Sequence, residues 1–183
     1  MTVNGVDRTD EVADGVLTLT NVTEDLSVTA IFQKQRFAVT VAECQNGSIQ
    51  LSAREVEWDE SVTATVLPAA HYTIDKVYVN GEDKTSMLDG NVLTLQNVRS
   101  AVTVEATFRL EIYAVTATAT GGGTVALSAS EAEWGSSIVV TLTPEEEHEF
   151  VSLTVNGVDA TAQVEDGQYT IRHVEAAIAV EAV

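Results

Sequence analysis

The tripeptide Val-Asn-Gly stands at 3–5, 79–81 and 155–157, equally spaced, so the chain repeats with a period of 76. Such a repeat constrains the chain more than any composition does, because every copy must fold into the same unit beside its neighbours. The same offset joins Trp58 to Trp134, Pro68 to Pro144, Gly47 to Gly123, Phe37 to Tyr113 and Phe32 to Phe108. It carries Asn21-Val22 onto Asn97-Val98 and then onto His173-Val174. Residues 36–107 laid on 112–183 without a gap give 24 identities in 72 positions. The polar stretches at 33–36 and 109–111 read as joints. That phase places a complete β repeat at 36–111, a second near-complete β repeat at 112–183, and the C-terminal half of a truncated repeat at 1–35. A chain cut in this way is expected to be a piece of a longer array.

Composition says what kind of unit repeats. Val and Thr supply 28 and 23 of the 183 residues, and β-branched side chains favour a pleated surface over a helix. Residues 113–120 alternate, with Tyr113, Val115, Ala117 and Ala119 on one face, the mark of a half-buried strand. Gly121-Gly122-Gly123 permits a reversal, and 124–128 returns as a second strand. Residues 129–136 read as a loop. A third strand covers 137–143, with Ile138, Val140 and Leu142 on one face, and Pro144 stops it. A fourth covers 150–155. Asn156-Gly157 and Asp166-Gly167 are hairpin turns, because both positions tolerate positive φ. A short fifth strand, then 168–172 and 177–183, complete seven. The expected fold class is therefore all-β, a tandem array of small, mainly antiparallel domains. A unit this short without disulfides buries a modest core and is marginal alone.

One unit reads Tyr-x-Val-x-Ala from Tyr113, then Gly-Gly-Gly-Thr-Val, then Trp-Gly-Ser-Ser-Ile-Val-Val-Thr-Leu-Thr-Pro from Trp134. It continues Leu-Thr-Val-Asn-Gly and Asp-Gly-Gln-Tyr-Thr-Ile, and ends Ile-Ala-Val-Glu-Ala. This resembles the divergent B-repeat modules, related to the internalin B-repeat, that occur in tandem in bacterial surface and secreted proteins. The resemblance implies compact β modules, β-grasp-like or sandwich-like, strung outside the cell as spacers or adhesive stalks.

Chemistry is sparse. The formal charge of −19 repels phosphate and argues against nucleic-acid partners. No apolar run approaches the roughly 18 residues of a membrane span. The opening residues do not read as a signal peptide. The lone Cys44 allows no internal disulfide. Reactive side chains are not repeated: Cys44 aligns with Thr120, His71 with Glu147, and His173 with Asn97. No catalytic, cofactor or metal residues are therefore assigned. The acidic run Glu145-Glu146-Glu147-His148-Glu149 lacks the alternation of a calcium loop and reads as a solvated loop. Glu55/Glu57 and Glu131/Glu133 are paired acids that would need a cleft to act on a glycoside. Trp58 and Trp134 are the side chains singled out for ligand contact, by stacking on sugars or anchoring a partner. The competing reading caps the core of each unit with them. The expectation is a non-enzymatic spacer or stalk, extracellular or on the bacterial cell surface. Its partners would be adjacent repeats, with an adhesive module for glycan or host protein as the alternative.

Overall fold

The computed structural model describes residues 1–183. The chain is all-β, with three single-turn 3-10 segments at Thr9–Glu11, Thr85–Met87 and Thr161–Gln163. Short strands β1 (Thr2–Val3), β2 (Val6–Asp7) and β3 (Val28–Thr29) form one small sheet in the order β2-β1-β3.

The middle of the chain holds β4 (Arg36–Val41), β5 (Gly47–Leu51), β6 (Glu55–Glu57) and β7 (Glu60–Pro68). It continues with β8 (Tyr72–Val79), β9 (Glu82–Asp83), β10 (Val92–Val98) and β11 (Val102–Leu110). They make a five-stranded sheet, β6-β4-β11-β8-β9, and a three-stranded sheet, β10-β7-β5. The last part holds β12 (Ile112–Ala119), β13 (Gly123–Leu127), β14 (Glu131–Glu133) and β15 (Ile138–Pro144). It closes with β16 (Leu153–Val155), β17 (Val158–Asp159), β18 (Gln168–Ile171) and β19 (Ile178–Ala182). Their sheets are β14-β12-β19-β16-β17 and β13-β15-β18.

The alternation read from the sequence is what fills the two cores. One cluster takes Val39 from β4, Val62, Ala64 and Val66 from β7, Leu93 from β10, and Val104 from β11. Both sheets of the middle part thus turn one face onto a shared interior, as in a sandwich. The second cluster is built the same way from Val115, Ile138, Val140, Ile171, Ile178 and Val180, together with the fully buried Leu153.

The expected strands differ from the observed ones in three places. Gly121-Gly122-Gly123 does not close a hairpin: β12 pairs with β14 and β19, while β13 pairs with β15. The glycines instead carry the chain from one sheet to the other. The segment read as a loop at 129–136 contains β14, whose single inward residue is Ala132. The fourth strand starts at Leu153 rather than at 150, because residues 149 and 150 have no ladder partner. The pairing is mainly antiparallel, but β4 runs parallel to β11 and β12 parallel to β19. The first and last strands of each part lie side by side in its large sheet.

Candidate functional site

Trp58 and Trp134 both follow a three-residue edge strand, and their surroundings differ. Trp58 leans on Phe37 of β4 with ring centroids 6.0 Å apart. The Arg99 guanidinium sits 5.5 Å from its centroid, a cation–π contact. Arg99 Nε donates to Asp59 Oδ1 at 2.5 Å, which holds the Asp59 carboxyl below its usual value and raises Arg99. Trp58 as a whole remains 40% exposed.

Trp134 is half-buried at the joint of the middle and last parts. His71, from the β7–β8 turn, stacks flat on it at 3.9 Å with 11° between planes. His173, from the β18–β19 turn, meets its edge at 5.0 Å. The histidines, assigned no role from the sequence, are thus its two ring neighbours. Only Glu111 separates β11 from β12, and it acts as a staple. Its N–H donates to His71 O at 2.9 Å, and its O accepts from Trp134 N–H at 2.9 Å. Its carboxylate accepts from Tyr113 Oη at 2.5 Å, which raises the phenol's pKa. The signal that could have pointed to Glu111 is Gln35, its counterpart one repeat earlier, whose O accepts from Trp58 N–H at 2.9 Å.

The repeated Asn and Asp also do more than turn the chain. Asn80 stands at φ 50°. Its Oδ1 accepts from Thr103 N–H at 2.8 Å and its Nδ2 donates to Ala101 O at 3.2 Å. Asn156 repeats this on Ala179 at 2.7 Å and Ala177 at 3.1 Å. The side chain thus sews the β8–β9 or β16–β17 turn onto the start of the last strand. Asp83 Oδ1 accepts from Thr85 N–H at 3.0 Å and from Thr85 Oγ1 at 2.6 Å. Thr85 Oγ1 accepts in turn from Val77 N–H at 2.9 Å. These bonds to Thr85, with Lys76 beside it, lower the Asp83 carboxyl to about 2. Asp7 with Thr9 and Asp159 with Thr161 form the same pair, and both carboxyls are lowered for the same reason.

The remaining candidates stay apart. Cys44 is half-buried, and burial next to Glu105 and Glu43 raises its pKa, the opposite of an activated thiolate. Glu55 and Glu57 flank Arg36 at 3.7 and 3.1 Å, whereas Glu133 faces Ile112. The hollow beside Gly121-Gly122-Gly123 contains His148 and Glu149 with no second carboxylate. None of these places a base, an acid and a nucleophile together. What the structure does assemble is a set of joints and clamps.

No curated protein matches the chain. Residues 113–183 match the family model of the divergent InlB B-repeat domain, which supports the reading of this stretch as a B-repeat module, a family whose name points to repeats of bacterial surface proteins.

Proposed function

We propose that the chain is a non-enzymatic spacer or stalk segment of a bacterial cell-surface or secreted protein, working outside the cell. Its units are 36–111 and 112–183, preceded by a half unit at 1–35. The observation that carries this reading is the joint. A single residue, Glu111, links two strands, and Trp134 is clamped between His71 of one unit and His173 of the other. A linker of several flexible residues would allow the units to reorient freely; one stapled residue under a stacked aromatic resists that. B-repeat modules are surface modules without catalysis, and the charge of −19 keeps neighbouring chains apart.

The test is a distance measurement between spin labels at Gln50→Cys and Ala126→Cys, with Cys44→Ser to remove the native thiol. A stiff spacer gives one narrow distance distribution, and His71→Ala with Trp134→Ala broadens it. A broad distribution in the parent chain would refute the spacer. Trp134→Ala is also expected to lower Tm, since it removes a stacked aromatic contact worth about 0.5–1.5 kcal/mol beyond its area.

One observation favours an adhesive module for glycan or host protein as the second reading. Trp58 is 40% exposed and carries a guanidinium beside it, an arrangement suited to an anchor residue. Titration of oligosaccharides against indole fluorescence separates the two readings. Saturable quenching that Trp58→Ala abolishes would establish the binding role.

A further inference from the structure

Asn4, Asn46, Asn80 and Asn156 each precede a glycine. Such a pair is prone to lose the side-chain amide, because a glycine without a Cβ leaves its backbone nitrogen open to close approach. Three of the four asparagines are tied down. Asn80 and Asn156 each commit both Oδ1 and Nδ2 to backbone at the start of the last strand of their unit. Asn4 is held through Oδ1 alone, by Ser27 N–H. In all three pairs the glycine shares the positive φ of the asparagine, as at Asn80 (50°) and Gly81 (82°).

Asn46 is built differently. It stands at φ 64°, but Gly47 leaves the left-handed region and begins β5. The Asn46 side chain is exposed and is held by no hydrogen bond. Asn46 O accepts from Ala69 N–H at 2.9 Å, and Gly47 lies opposite Pro68. That register makes Gly47 and Pro68 a non-hydrogen-bonded pair, with the Gly47 N–H turned away from β7. β5 is an edge strand of its sheet, so this N–H has no ladder partner. Packing also fixes the glycine: the Phe108 ring occupies the space that a Cβ at position 47 would need. The counterpart of Asn46 in the last unit is Gly122, which has no amide to lose.

We infer that Asn46-Gly47 is a modification site, at which the folded chain deamidates through a cyclic imide with water as the only co-reactant. The Gly47 nitrogen gives its proton to solvent base and bonds to Asn46 Cγ. The Cγ–Nδ2 bond breaks and ammonia leaves. Water then opens the imide at either carbonyl, giving aspartate or isoaspartate, with no change of oxidation state. Isoaspartate adds one carbon to the main chain beside the Ala69 hydrogen bond and the Phe108 ring. The middle unit is therefore the one loosened, while Gly122-Gly123 leaves the last unit untouched.

The full chain, aged in mildly alkaline buffer and mapped by peptide mass, tests this. Asn46 is expected to deamidate at least about tenfold faster than Asn80 or Asn156, which must first break two hydrogen bonds. Asn4, with one bond, falls between. In denaturing urea the clamps are gone, and the four rates converge. Aging is expected to lower Tm by on the order of 5 °C, and Asn46→Gln abolishes that drop. Equal rates at Asn46, Asn80 and Asn156 in the folded chain would overturn the proposal. So would a spread of rates that survives in urea, because local sequence rather than the fold would then set the order.

Discussion

Residues 1–35 and residues 77–111 carry the same local devices and reach different ends. In both, an Asn at positive φ grips the strand opposite. Asn4 Oδ1 accepts from Ser27 N–H at 2.8 Å, as Asn80 Oδ1 accepts from Thr103 N–H at 2.8 Å. In both, an Asp caps the Thr two residues on. The bridge Ala13–Val16 matches Asp89–Val92. Burial is where they part. Val104 is fully buried, while Val28, its counterpart, is 53% exposed. Phe32 is 91% exposed, while Phe108 packs on Gly47. Among residues 1–35 only Val3 is buried. The turns are therefore coded by the residues that form them. The core is not, because its other wall comes from β4, β5 and β7.

The largest effect that would break this comparison lies in the core. Leu93 is fully buried in its cluster, and Leu17, its counterpart one repeat earlier, is half-buried. Leu93→Ala is expected to cost about 2–5 kcal/mol in denaturant unfolding, the range for a buried leucine that leaves a cavity. Leu17→Ala should cost under about 1 kcal/mol. Equal costs would mean that residues 1–35 possess a core of their own.

Much of the architecture was legible in the sequence because alternation reports burial directly. Ile138, Val140 and Leu142, and Ile178, Val180 and Ala182, all point inward as their parity requires. Asn156-Gly157 turns as expected, at φ 48° and 76°. Pairing was less legible. Three glycines in a row look the same whether the chain folds back on its neighbour or crosses to another sheet, and only the partner of β13 decides. The short β14 was invisible because one inward alanine makes no pattern. At the candidate site, position was legible and environment was not. Trp58 and Trp134 share a place in the repeat, yet one meets Arg99 and the other His71 and His173. Those neighbours come from turns distant in sequence, and they are positions at which the copies diverge.

The Asn clamp sharpens the comparison at intermediate scale. Asn80→Gly keeps the left-handed backbone accessible and removes only the side-chain bonds to Thr103 and Ala101. It should cost about 1–2 kcal/mol, as two lost hydrogen bonds in a folded setting do, and expose the Thr103 amide to exchange. Asn4→Gly removes the same grip on Ser27 from a region with almost no core. It should leave global unfolding unchanged while speeding exchange at Ser27 alone. A global loss from Asn4→Gly would show that 1–35 unfolds together with the rest.

The smallest effect concerns acid. The Asp83 carboxyl is held at about 2 in the folded chain, against an ordinary 3.8, first by its bonds to Thr85 and then by Lys76. A depressed carboxyl adds stability that is complete above its unfolded value and disappears as pH falls through the folded one. The contribution of Asp83 is therefore present at neutral pH and fades between about pH 4 and pH 2. Asp159 acts in the same direction through Thr161. Asp83→Asn keeps a side-chain acceptor for the Thr85 amide and removes the titration. Melting temperature followed from pH 6 to pH 2 should fall less steeply for Asp83→Asn than for the parent. Asp7→Asn, in the stretch without a core, should leave that slope unaltered. An equal flattening by both would place the acid-sensitive step outside the folded cores and remove the distinction between the two regions.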